Sequence, residues 1–134
     1  MRELLTDFPA LKAYLKKSNL KLRDGLVGYY AMVGEKQGFT IVKDASVVRN
    51  ACNFGSVDLA WVEPNTVFCC EFALEDDIFK HLYRVMLLKP AIAVLLLSGN
   101  SKCSPKRVRE IVDRTPELKG IEFIILDVTS GKLA

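Results

Sequence analysis

Two hydrophobic periods alternate along the chain, and the changes of period mark its elements. In residues 1–18, Leu4, Leu5, Phe8, Leu11 and Leu15 recur at helical spacing, with Lys12, Lys16 and Lys17 on other faces. This predicts a short amphipathic helix with a break or fresh start at Pro9. A second helix is predicted over 20–37, lined by Leu22, Leu26, Tyr29, Tyr30 and Val33. Gly25, Gly28 and Gly34 each weaken it by ~1 kcal/mol relative to Ala, and small residues also mark close packing. Tyr29 and Tyr30 read as helix-face packing, within the chain or at a dimer interface. Gly38 reads as the cap, and Phe39, Thr40, Ile41 and Val42 open a strand. That strand resumes over 45–48 after a turn or bulge at Lys43 and Asp44, and 49–54 reads as a polar connection.

Two apolar runs follow, SVDLAWV and TVFCCEFAL, joined by Glu63, Pro64 and Asn65. Runs of this composition about a Pro-Asn turn predict a β-hairpin. Residues 75–89 predict a helix, with Asp76 and Asp77 at its positive end and Ile78, Leu82, Val85, Met86 and Leu88 inward. Pro90 stops it, and 91–97 is apolar at every position, as in a central strand covered on both faces. After a loop at 98–101, Ser104 and Pro105 read as the cap and first position of a helix over 106–114. Gly120 leads into a last strand over 121–128. An antiparallel trio followed by crossover units requires parallel pairing in the second half. The expected fold is α/β: a mixed central sheet of about five strands with helices on both faces. It forms one domain over 1–134, an N-terminal helical segment (1–19) and an αβββαβαβ core (20–134).

With 134 residues, half of them hydrophobic, the chain can bury a sizeable core and is not a disordered polymer. Nineteen Lys and Arg against sixteen Asp and Glu give +3, which permits nucleic-acid binding without requiring it. Four Cys with no CxxC and a single His argue against a zinc site and for free thiols. Cys69 and Cys70 are adjacent in a strand, so they take opposite faces. No secretory pattern follows Met1, and the apolar run 91–97 is too short to span a bilayer. A cytoplasmic protein without a membrane partner is expected.

Asp58 and Glu71 stand out because they interrupt the apolar hairpin. A buried, unpaired acid costs several kcal/mol, so a metal ion or a hydrogen-bond partner is expected beside it. Both lie at the same distance from the Pro64-Asn65 turn, which allows them to face each other on one side of the sheet. Two facing carboxylates repel unless a positive charge joins them.

The order helix, strand, hairpin carrying Asp then Glu, helix, buried strand resembles the PD-(D/E)xK nuclease superfamily. This is the restriction-endonuclease-like fold, which includes the archaeal Holliday junction resolvases. The resemblance covers about residues 23–98. It is carried by the Gly38-Phe39 step, by GSVDLAWVEPN with Asp58 and by TVFCCEFAL with Glu71. It implies metal-dependent phosphodiester hydrolysis, with Asp58 and Glu71 as catalytic ligands of Mg²⁺ or Mn²⁺. It also implies DNA as partner, and a homodimer where both strands are cut. The sequence departs from the family at two places. Ala73 stands where the motif Lys belongs, and Gly28 lies in the region of the first helix's usual Glu. Lys80 is the nearest replacement for the missing Lys, with His81 and Arg84 behind it.

Basic residues form two patches, Lys12, Lys16, Lys17, Lys21 and Arg23, and Lys102, Lys106, Arg107, Arg109 and Arg114. The helix start at Ser104 with Lys102, Lys106 and Arg107 suits a phosphate, and Lys16 and Lys17 suit a nucleic-acid backbone. An alternative of another class is a catalytically degenerate nuclease-like module that binds nucleic acid or a protein partner, as Ala73 and Gly28 favour. A plain α/β interaction protein would instead hold Asp58 and Glu71 apart or on opposite faces.

Overall fold

A computed structural model describes residues 2–62, 66–72, 78–97 and 103–134, with backbone alone at 2 and over 66–72. The expectations for Glu63, Pro64, Asn65, Ala73, Glu75, Asp76, Asp77, Lys102 and the loop 98–101 lie outside the described residues. The N-terminal helix is in fact two. A short α1 (Arg2–Leu5) precedes α2 (Phe8–Lys17), and the Asp7 carboxylate accepts the Ala10 N–H to start the second. Helix α3 (Leu22–Lys36) ends at Gly38, whose φ of +88° lets the Phe39 N–H return to the Gly34 carbonyl.

Strands β1 (Thr40–Arg49) and β2 (Cys52–Val62) correct the expected connection at 49–54. The chain reverses in two residues, Asn50 and Ala51, both with positive φ (+51° and +64°). This is the tight hairpin geometry that normally takes Asn-Gly, and Ala at the second position hid it from the sequence. Then come β3 (Thr66–Phe72), α4 (Ile78–Leu88), β4 (Ile92–Leu97), α5 (Pro105–Asp113), a 3₁₀ turn at Pro116–Leu118 and β5 (Glu122–Asp127).

The strands form one sheet in the order β1-β2-β3-β4-β5. The first two pairings are antiparallel and the last two parallel. The coarse class is therefore α/β. Alternate residues of β4 and β5 feed two cores: Val94, Leu96, Ile124 and Leu126 pack under α3, while Ala93, Leu95, Leu97, Phe123 and Ile125 pack under α4 and α5. This explains why every residue over 93–97 is buried. Tyr29 and Tyr30 are buried within the chain, and the Tyr30 hydroxyl donates to the Leu5 carbonyl, so neither is available to a second copy. No helix among the described residues is long and apolar enough to cross a membrane.

One irregularity bears on the site. Strict alternation would keep Val57, Leu59 and Trp61 on one face. Instead Val57 joins the α4 core while Leu59 and Trp61 join the α3 core. Strand β1 makes the same exchange between Ile41 and Ala45, around Asp44 with φ +48°. Asp tolerates this left-handed conformation better than most residues. Lys43 pairs with Leu59 and Ala45 with Val57, so Asp44 and Asp58 fall at matching positions where the hairpin changes faces.

Candidate functional site

The second hairpin carries the two acids of interest just past the end of its ladder. Leu59 pairs with Cys70, Ala60 with Cys69 and Trp61 with Phe68. Positions 58 and 71 are the next along, but the ladder ends at Leu59 and Cys70, and Asp58 stands where β2 exchanges faces. Glu71 itself is paired on its other side with Leu95 of β4, so it lies in the interior of the sheet. The Glu71 side chain is outside the described residues.

Asp58 is largely buried, with its side chain 15% exposed. The positive charge expected beside it comes from within the chain. Arg23, in the first turn of α3, donates through Nη2 to Asp58 Oδ1, and also to Asp44 Oδ1 at 3.1 Å. The hydrogen bond to Asp58 raises the Arg23 pKa from its ordinary value, against the opposing effect of burial. Arg23 thus joins the two carboxylates at the point where the hairpin exchanges faces. Its sequence neighbours in α3 carry no sign of this role, because its partner lies 35 positions away.

A cavity of about 540 Å³ opens over this group, between α2, α3 and the first hairpin. Tyr14, Val27, Gly28, Ala31 and Met32 form much of its apolar wall, and Arg23, Asp24, Glu35, Lys43, Asp44 and Asp58 supply its charges. Glu35 lies near the end of α3 and still lines the same cavity as Asp58. Gly28 leaves room there: a Cβ on it would stand 3.0 Å from the Tyr14 hydroxyl.

Lys80 does not line this cavity. It is exposed on α4 and faces a separate groove with Asn53, Phe54, Phe79, Tyr83 and Arg84. The α4 group directed toward the sheet is His81, which is 3% exposed. Its pKa is lowered to about 4, first by burial and then by the nearby Arg84 charge, with Asp58 opposing both. His81 is therefore neutral near pH 7, with Nδ1 3.3 Å from Arg84 Nη2. A sequence signal for this existed. Ile78, His81, Leu82 and Val85 form an i, i+3, i+4, i+7 stripe, the inward face of a helix, and residue 80 falls outside it.

The basic patches are only partly free to meet a ligand. Lys16 and Lys17 are exposed at the end of α2. Ser104 caps α5 as expected, its Oγ accepting the Arg107 N–H at 3.2 Å. Lys106 is exposed and lines a shallow groove with Lys132. Arg107 pairs with Glu110 at 2.9 Å. Arg109 is structural: it donates to the Phe123 and Ala134 carbonyls and ties α5 to β5.

Comparison with protein families, with characterised proteins and with solved structures returns no match. The site must therefore be judged on its own chemistry. Carboxylates are hard oxygen donors of the kind Mg²⁺ and Mn²⁺ take. Among the described residues, no three His, Cys, Asp or Glu side chains are grouped to hold an ion. Asp58 is already engaged by Arg23, so an ion at this acid would have to take its place beside the carboxylate.

Proposed function

We propose that the protein is a nuclease-like nucleic-acid-processing protein of restriction-endonuclease-like architecture, with Asp58 and Glu71 as its chemical centre. The observation that supports this reading is the largely buried Asp58 carboxylate, which lines an open cavity beside the hairpin that also carries Glu71. Asp58 and Glu71 would hold Mg²⁺ or Mn²⁺. The ion would supply positive charge to the phosphoryl oxygens and a water made acidic enough to attack near neutral pH. Asp58 lies at the margin of an open cavity, where a phosphodiester has access. Lys16, Lys17, Lys106 and Arg107 would contact the nucleic-acid backbone, as the resemblance and their exposure suggest.

A second reading has a specific observation in its favour. Arg23 holds Asp58, and Ala73 replaces the motif Lys. A module of this kind would bind nucleic acid, or a protein partner, without cutting. One assay separates the two: cleavage of labelled single-stranded, duplex and junction DNA with Mg²⁺ or Mn²⁺, for the parent, Asp58→Ala and Glu71→Ala. Metal-dependent cutting abolished in both variants supports the enzyme. Salt-sensitive binding without cutting supports the module. Neither binding nor cutting refutes the nucleic-acid reading.

A further inference from the structure

The Arg23 guanidinium is shared by three carboxylates. It donates through Nη2 to Asp58 and, at 3.1 Å, to Asp44, while its Nη1 lies 3.7 Å from Asp24 Oδ1. The three acids differ in their access to water. The Asp58 side chain is 15% exposed, against 57% for Asp24 and 70% for Asp44. Water solvates Asp24 and Asp44 with or without Arg23, whereas a carboxylate as buried as Asp58 needs a partner from the protein or a bound cation. Arg23 itself is 42% exposed. It lines the cavity of about 540 Å³ together with all three acids, so the guanidinium has space to move into. A shift toward Asp24 and Asp44 keeps Arg23 paired and turns Asp58 toward the cavity.

We infer that Arg23 is a built-in competitor for the cation position at Asp58: a divalent ion takes this carboxylate only with the guanidinium moved over to Asp24 and Asp44. The inference rests on the metal reading above and adds its regulation. A guanidinium and a dication held at one carboxylate repel each other, and a partly buried setting screens that repulsion much less than open solvent does. Without an ion, Arg23 spares Asp58 the cost of a buried, unpaired charge. With one, the closed contact must first be given up, which weakens the apparent affinity by the fraction of molecules in which Asp58 is released. The contact therefore connects the two functions considered above. Paired with Asp58, Arg23 holds the protein as a non-cutting module; moved aside, it leaves Asp58 to a metal ion.

The test is Mn²⁺ binding, read from the electron paramagnetic resonance signal of the free ion, for the parent, Arg23→Gln, Arg23→Lys and the double variant Arg23→Gln/Asp58→Asn. Competition requires Arg23→Gln to bind Mn²⁺ about tenfold more tightly than the parent, and Arg23→Lys, which keeps the charge, to stay within about threefold of it. The gain must vanish in the double variant. A merely structural Arg23 gives the opposite sign, since a loosened fold weakens a site. A second measurement needs no change at position 23: in the ¹⁵N-labelled parent, saturating Mg²⁺ shifts the Arg23 Nε–Hε resonance. Binding by Arg23→Gln alone is the expected result at its limit. An Arg23→Gln protein that binds through Asp58 no more tightly than the parent overturns the competition and leaves the metal reading standing, as does an Arg23 resonance unmoved in a parent saturated with Mg²⁺. A gain that survives Asp58→Asn places the ion elsewhere and overturns the proposal. No Mn²⁺ binding by either parent or Arg23→Gln overturns both the competition and the metal reading.

Discussion

Replacing Gly34 by Ala adds one methyl group where α3 meets the sheet. A Cβ at Gly34 would lie 2.5 Å from Trp61 Cε2 and Nε1, and 2.6 Å from Ile41 Cδ1. Ordinary contact begins nearly 1 Å further out, so the indole must retreat by roughly that distance. It has little room to do so. Trp61 is 1% exposed, its Nε1–H donates to the Tyr30 carbonyl at 3.1 Å, and its ring stacks on Phe39 at 5.5 Å. Overpacking of this kind costs about 1–3 kcal/mol. Disturbing the buried hydrogen bond adds about 1 kcal/mol. The better helix propensity of Ala returns about 1 kcal/mol. The expected net loss is about 2 kcal/mol, which at this chain length lowers Tm by roughly 6–10 °C. Urea unfolding followed by Trp fluorescence reads it directly, because Trp61 is the only Trp in the chain. Gly28→Ala is the internal comparison. Its Cβ would meet only the end of the half-buried Tyr14 side chain, at 3.0 Å, and a phenol can swing aside. That variant is expected to be unchanged or stabilised by up to about 1 kcal/mol. Equal responses of the two variants, or a Gly34→Ala protein as stable as the parent, would refute the steric account.

Two further stability predictions concern the residues around Asp58. The Arg23–Asp58 pair should show coupling of about 1 kcal/mol in a double-mutant cycle of Arg23→Gln and Asp58→Asn. This is less than a fully buried pair shows, because Arg23 is 42% exposed and solvent screens it; a coupling of zero would mean that Asp58 does not rely on Arg23. His81 makes stability depend on pH. Its folded pKa of about 4 lies below the ordinary 6.5, so the unfolded chain takes up the proton first. Its contribution is complete above about pH 6.5 and is lost as pH falls toward 4, a total of about 3 kcal/mol. Urea midpoints of parent and His81→Gln should converge over that window, and parallel pH profiles would contradict a buried neutral imidazole.

Much of the architecture was legible because it depends on neighbours along the chain. Apolar residues at every position from 91 to 97 marked β4 as central, and Ser104-Pro105 marked the start of α5, since burial on both faces and end-capping are local demands. The pairing of Leu59 with Cys70, Ala60 with Cys69 and Trp61 with Phe68 was legible for a related reason: in a hairpin, register is counted outward from the turn. Tertiary structure decided the rest. It chose Arg23 as the cation for Asp58, a choice made by how α3 lies across the sheet. It turned the first hairpin over at Asp44 and Asp58, the first of them in the left-handed region, which breaks the period of two. It also set the rotation of α4 that carries His81 inward and Lys80 out to an aromatic groove. Sequence spacing orders side chains around their own helix or strand; which distant group each one meets is determined only when the elements pack.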